Sequence, residues 1–388
     1  MKALEFRRRP LRYAAAAVAS RLRPGAGAGV GPLELVDTDP PELPGDDWFR
    51  LWPRLTGICG SDLATVEGRA SRYFDELVSF PFVPGHEIVG DLADGRRVVV
   101  EPVLGPEARG FDPPFEGAAP GDADDLRHLV AGPLEPGIQT GYCASTGGGW
   151  ATECVVHRSQ IHEVPDWMSD ELAVTIEPVA GGVHAALAGE VAEGATVAVI
   201  GAGTMGLVTV AALRHLTPAG SIVVGARYPH QRALARDFGA DVVVAPDELA
   251  RAVRRATGSY VIGRHLSGGA DVVVDAVGSS DSIAEAIAVC RPRGRVVLLG
   301  MPAHVELELT GLWHRETQLV GAYTYGTETL PDGRRARSFT LALELAGKVP
   351  FDRLVSATYP LERHRDAIAH AAEAGRRGAV KVAFDLRG

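Results

Sequence analysis

The clearest periodicity in the chain begins at Ala195. Short apolar runs recur at Thr196–Ile200, Ser221–Gly225, Val242–Val244, Val272–Asp275 and Arg295–Leu299, with helical stretches between most of them. Buried strands alternating with crossover helices predict a parallel sheet. Upstream, Trp48–Leu55 alternates as a half-buried strand does, and Arg97–Val103 is a second apolar strand. Residues 1–60 otherwise read as strands and turns. Residues 104–149 follow neither period; Gly, Pro and Asp dominate, which predicts a long loop or lobe. Ser169–Ala188, Ser338–Gly347 and Leu361–Gly375 predict helices, and Val380–Phe384 a closing strand.

The first strand of the repeat runs directly into Gly201-Ala202-Gly203-Thr204-Met205-Gly206 and then into the apolar run Leu207–Leu213. A Gly-x-Gly-x-x-Gly between a strand and a helix suits a dinucleotide. Gly201 permits the turn, Gly203 lets the backbone approach a pyrophosphate, and Gly206 lets helix and strand pack closely. The helix N-terminus offers unpaired N–H groups to the phosphates. About 20 residues further on, this arrangement usually has an acid for the ribose 2′-OH. Here the second strand ends Gly225-Ala226-Arg227, with no acid before Asp237. Small residues followed by a guanidinium favour a 2′-phosphate, hence NADP over NAD, with Arg232 assisting. Arg227 as a solvated loop charge is the structural alternative. Thr204, Met205, Val277, Gly300 and Lys381 complete the candidate cofactor residues.

A length of 388 residues suggests two or three domains. The net charge of −10 argues against nucleic acid or an anionic membrane as partner. Four cysteines are too few for a disulfide scaffold. Lys2 and Arg7–Arg9 before Tyr13–Ala19 faintly imitate a signal peptide, but the apolar part is short and soon followed by Arg21 and Arg23. It is read as part of the fold, and the protein as cytoplasmic.

Cys59, His86, Glu87 and Glu177 are candidate metal ligands. Thiolate, imidazole and carboxylate together suit zinc, and a catalytic zinc takes three protein ligands with one open position. Their spacing is not itself a metal signature. Each also has a structural reading: Cys59 a small core residue, His86 an interior hydrogen-bonded histidine, Glu177 a helix-surface charge.

Gly57-Ile58-Cys59-Gly60-Ser61-Asp62, Pro84-Gly85-His86-Glu87-Ile88-Val89-Gly90, Glu177-Pro178 and Gly201–Gly206 occur in this order. The combination resembles the medium-chain dehydrogenase/reductase superfamily, in particular its zinc-dependent alcohol and polyol dehydrogenases. The likeness extends to Gly378–Val382. It implies an α/β fold: a Rossmann doubly wound parallel sheet at 186–325, and a GroES-like β-rich catalytic domain from 1–185 and 326–388. It implies a catalytic zinc on Cys59, His86 and Glu177, with water or Glu87 completing the shell. Asp62 would orient the histidine, and Ser61 would bond the substrate hydroxyl and pass on its proton. The position of a relay histidine found in some members is Ala64 here. Many members carry four cysteines for a structural zinc after the Glu101-Pro102 strand. Residues 104–142 have none, so one zinc per chain is expected and no structural zinc. The expected activity is hydride transfer between NADP(H) and a small alcohol or carbonyl compound, a polyol, cyclitol or secondary alcohol, by a homodimer or homotetramer. Two other readings stand beside it: a zinc-independent quinone or enone reductase of the same superfamily, and a non-catalytic NADPH-binding protein.

Overall fold

The computed structural model describes residues 1–387, which form two compact units. One comprises Met1–Glu177 and the chain from Pro350 onward; the other is Pro178–Val349. No helix among the described residues is long and apolar enough to cross a membrane.

The first unit is built on a seven-stranded sheet. Its order is Val355–Tyr359, Lys381–Asp385, Trp48–Gly57, Ile88–Leu92, Arg97–Val100 and Ile161–Glu163, with Cys154–His157 also paired to the start of Trp48–Gly57. Every ladder is antiparallel except Val355–Tyr359 with Lys381–Asp385. The long strand Trp48–Gly57 accommodates Pro53 at a register shift, where a missing N–H breaks no regular ladder. On one side Leu51, Ile88, Leu92, Val98, Val100, Cys154 and Val156 form a dry core. A second core gathers Leu4, Phe6, Phe82, Trp150, Val382 and Phe384.

Two segments depart from the expected strands and turns of residues 1–60, the short helix Gly27–Val30 and a longer one before it. Pro10–Leu22 is an α-helix linking the antiparallel pair Lys2–Phe6 and Leu33–Asp37. Pro10 suits the first turn, where its absent N–H would be unpaired anyway, and the alanine run favours helix. Alanine lies on both faces, Ala16 buried and Ala14 and Ala15 exposed, so no apolar period marks the helix in the sequence. The lobe 104–149 is irregular as expected, with single turns of 3₁₀ helix at Glu107–Arg109 and Arg127–Leu129.

The second unit carries a six-stranded parallel sheet. In chain order its strands are Thr196–Ile200, Ser221–Gly225, Val242–Val244, Ala270–Asp275, Cys290–Leu298 and Gln318–Gly321; in space they lie 3-2-1-4-5-6. This is the Rossmann order, reversing direction between the first and fourth strands, where such sheets bind ligands. The five apolar runs predicted as strands between Thr196 and Leu299 all fall in this sheet.

The division between units differs from the one expected. The chain crosses at Glu177/Pro178, and returns at Val349/Pro350 rather than near 325. The hairpin Thr327–Thr329 with Arg335–Arg337, and the helix Ser338–Ala346, stay with the Rossmann unit. Side-chain ties explain this. Glu328 is held by His184 at 2.7 Å and by the Ser338 hydroxyl at 2.6 Å, and Phe339 and Leu341 are buried.

Candidate active site

The strand Trp48–Gly57 ends just before Cys59, which caps the N-terminus of the helix Gly60–Val66. Asp62, three residues into the turn, is fully buried, and its Oδ2 accepts the Cys59 N–H at 2.9 Å. A carboxylate at this position satisfies a helix-end donor and is pinned by it. Its other oxygen, Oδ1, lies 3.5 Å from His86 Nδ1 and 3.5 Å from the Tyr142 hydroxyl. Cys59 is within hydrogen-bonding reach of His86. Burial disfavours a charge on His86, but the Asp62 carboxylate and Cys59 outweigh it and hold its pKa well above the ordinary imidazole value. Ser61 is half-buried at the same turn, within hydrogen-bonding reach of Tyr142.

Glu87 faces a different partner. Its Oε1 is 2.5 Å from Lys381 Nζ, and both side chains are buried. The Glu87 Oε2 is buried without a hydrogen bond, pressed against Gly57. A Cβ on Gly57 would lie 1.6 Å from that oxygen, so any side chain there would push the Glu87 carboxylate aside. In this arrangement Glu87 is the counter-ion of Lys381. Burial opposes the Lys381 charge, and Glu87, Cys59 and Glu177 together raise its pKa above the ordinary amine value. Lys381, expected among the cofactor residues, is therefore enclosed in the first unit with its charge neutralised. Trp150 braces the same turn: it is fully buried, donates from Nε1 to the Gly57 carbonyl at 3.2 Å, and meets Phe384 edge-on.

Glu177 opens the helix Ile176–Ala188, half-buried, and its charge reaches Lys381. Among the described residues, no three His, Cys, Asp or Glu side chains stand as a closed metal-holding group. The structure brings Cys59 and His86 together beside Asp62. The donor chemistry of thiolate, imidazole and carboxylate fits zinc. The Asp62 carboxylate also stands 3.5 Å from His86 Nδ1, a buried atom with no hydrogen bond of its own, where a carboxylate can orient a ligating imidazole.

In the second unit the glycine loop has the geometry its spacing predicts. Gly201 has φ +93°, in the left-handed region. A Cβ on Gly206 would lie 2.0 Å from the Gly201 carbonyl. At Gly203 a Cβ would meet no protein atom within 4 Å; a side chain would instead fill the space through which a phosphate reaches the backbone. Gly203 caps the helix Thr204–Leu216, whose first turn contains Thr204, Met205 and Gly206. Ala226 is buried at the end of the second strand, and Arg227 is exposed beyond it. Arg232 donates to the Arg227 carbonyl at 3.1 Å, and its Nε is buried without a partner. Val277, half exposed, and Gly300 follow the fourth and fifth strands. Buried Asp275 fixes this rim: its carboxylate accepts the N–H groups of Val277 and Gly278 and the Ser282 hydroxyl.

A model of the alcohol dehydrogenase GroES-like domain matches residues 45–166, and one of the zinc-binding dehydrogenase matches 204–336. Sorbitol dehydrogenase of Bacillus subtilis is 27% identical over 330 residues, covering 81% of this chain and 84% of that one. Sorbitol dehydrogenase of Homo sapiens is 28% identical over 360 residues, covering 87% and 89%. The chain belongs to the medium-chain dehydrogenase/reductase superfamily. Its fold is also that of a Sinorhizobium meliloti 1021 protein solved with NADP, at TM-score 0.70 and 24% identity, covering 92% and 97% of the two chains. As a superfamily member related to these enzymes, it is an alcohol dehydrogenase.

This dehydrogenase holds three groups that sequence reasoning missed. Tyr142 lies in the irregular lobe, where no period points its side chain anywhere. The pairing of Lys381 with Glu87 spans 294 positions. Asp275 has a visible signal, an acid closing the apolar run Val272–Val274 just before Gly278.

Proposed function

We propose that this dehydrogenase moves a hydride between NADP(H) and an alcohol or carbonyl substrate, at a site with one zinc ion held by Cys59, His86 and Glu177. The meeting of Cys59 with His86 on buried Asp62 carries this reading. A thiol, an imidazole and an orienting carboxylate in one small buried cluster serve metal binding better than they serve core packing. The substrate class is a polyol, cyclitol or secondary alcohol. Similarity to sorbitol dehydrogenases supports it, as does the Glu177-Pro178 pair, a feature of the polyol branch. We further infer a cytoplasmic homodimer or homotetramer.

When bound, zinc supplies Lewis-acid polarisation of the substrate oxygen, and the nicotinamide takes or gives the hydride. With zinc bound, Asp62 opposite His86 Nδ1 would hold the proton there and leave the Nε2 lone pair for the metal. Lys381 offsets the negative charge that Glu87 brings to the cluster. Ser61 would hydrogen-bond the substrate hydroxyl and pass on its proton, giving up its own hydroxyl proton as it takes the substrate's. Ala64, one helical turn beyond, carries no proton onward. The Gly201–Gly206 loop takes the pyrophosphate on backbone N–H groups, and Arg227 with Arg232 reads the 2′-phosphate.

Zinc per chain, measured on protein purified without added metal, tests the reading. A value near one is expected, since the lobe 104–142 has no cysteine. Near zero after reconstitution overturns it in favour of a zinc-independent reductase, and near two reveals a second metal site. The cofactor assignment has its own test in Arg227→Ala. Loss of a charge-assisted contact of ~1.5–3 kcal/mol weakens NADPH binding about tenfold or more, while NADH affinity stays nearly constant. Equal weakening of both in a fluorescence titration rejects Arg227 as the phosphate reader.

A further inference from the structure

We propose that Tyr142 is a positioning residue for this reaction: its hydroxyl fixes Asp62 against His86 and orients Ser61. The inference rests on the zinc reading above. Tyr142 comes from the lobe, at 7% exposure, with its ring 5.3 Å from that of Phe82 and 6.1 Å from that of His86. Its hydroxyl lies 3.5 Å from Asp62 Oδ1 and 3.4 Å from Thr65 Oγ1, and within hydrogen-bonding reach of Ser61.

Counting protons gives each group a direction. Asp62 Oδ2 is occupied by the Cys59 N–H, which leaves Oδ1 for His86 and Tyr142. The Thr65 hydroxyl donates to the Ser61 carbonyl at 2.9 Å. The strongest acceptor left for the Tyr142 proton is the Asp62 carboxylate. The phenol oxygen is then free to accept from the Ser61 hydroxyl. Burial, and next the Asp62 charge, raise the Tyr142 pKa, so the group stays a neutral donor at working pH. A carboxylate held at both oxygens stays facing His86 Nδ1, 3.5 Å away. The path from Ser61 through Tyr142 ends on a buried carboxylate and not at solvent. Tyr142 therefore orients Ser61 and does not carry its proton away.

Tyr142→Phe in the zinc-loaded enzyme removes the hydroxyl and keeps the ring. Zinc loss to a chelator should accelerate about 10- to 100-fold, the usual cost of losing a group behind a metal ligand. On the orientation argument, kcat should fall by about tenfold with KM nearly constant, and NADPH affinity should not move. Thr65→Val is the control, since it removes a neighbour of the same hydroxyl that does not touch Asp62; its zinc loss should match the parent. Zinc loss and kcat in Tyr142→Phe within about twofold of the zinc-loaded parent overturn the proposal alone. So do equal effects in Tyr142→Phe and Thr65→Val, or a lowered melting temperature with unchanged zinc loss. A parent that holds no zinc after reconstitution overturns the zinc reading and this inference with it.

Discussion

Lys381→Met is expected to destabilise the first unit by about 3–5 kcal/mol at neutral pH, the range for removing one member of a buried ion pair. Lys381 is 4% exposed and Glu87 fully buried. The glutamate has no second donor to fall back on, because its Oε2 already lacks a hydrogen bond. It cannot turn toward Gly57, whose backbone lies against it. The variant therefore keeps an uncompensated buried carboxylate.

The pH dependence separates this from a packing defect. In the parent, the Lys381 pKa is raised, so its contribution is fully present below about 10.4, the unfolded lysine value, and is lost only as pH rises through the higher folded value. The gap between parent and variant in urea denaturation should thus stay constant through neutral pH and narrow only as pH rises through the folded lysine value, whereas a packing defect would persist there. Lys381→Met with Glu87→Gln should recover most of the loss. A single variant within about 1 kcal/mol of the parent, less than the weakest cost of breaking a buried pair, would mean that the pair is solvated.

What the sequence made legible follows physical range. The Rossmann unit could be read almost strand by strand, because burial on both faces turns each strand into an uninterrupted apolar run and the glycine loop follows its strand directly. Gly201 and Gly206 proved to need glycine for the reasons their spacing suggested. The cluster in the first unit was legible only as separate residues. Cys59 and Asp62 share one helix turn, but His86, Tyr142, Glu87 and Lys381 join them from distant strands and loops, and no local period encodes such pairings. The helix Pro10–Leu22 was hidden by alanine on both faces. The return crossing lies beyond 325 because the His184–Glu328–Ser338 tie that holds the hairpin is tertiary.

The lobe poses the same question of what stabilises it, and Arg109 answers it. Arg109 is fully buried, and its two Nη groups donate to the carbonyls of Ala131, Leu134, Glu135 and Gly137 at 2.7–3.4 Å. One planar guanidinium thus ties four points of a segment with no strand. Burial lowers the Arg109 pKa, with Cys143 acting in the opposite sense, and the Arg109 charge adds to burial in lowering the pKa of His128. Close backbone contacts support the tie: a Cβ on Gly132 would lie 2.4 Å from the Arg109 carbonyl, and one on Gly137 would lie 2.4 Å from Cys143 Cβ. Arg109→Met leaves those carbonyls without their donor. At about 1–3 kcal/mol for each buried group left unpaired, keeping the lobe closed costs more than opening it to water, so the variant should unfold locally. Amide hydrogen exchange across 104–149 should rise sharply, while the Rossmann unit stays protected. Arg109→Lys should rescue little, since a point-like ammonium cannot span four carbonyls. Tyr142 is in the same lobe, next to Cys143, so opening it also withdraws the hydroxyl from Asp62. Arg109→Met should therefore release zinc as fast as Tyr142→Phe or faster, although Arg109 touches none of the proposed ligands. Unchanged exchange in the lobe would show that its backbone holds without the guanidinium. Raised exchange with parental zinc retention would show that the lobe and the metal cluster are energetically independent.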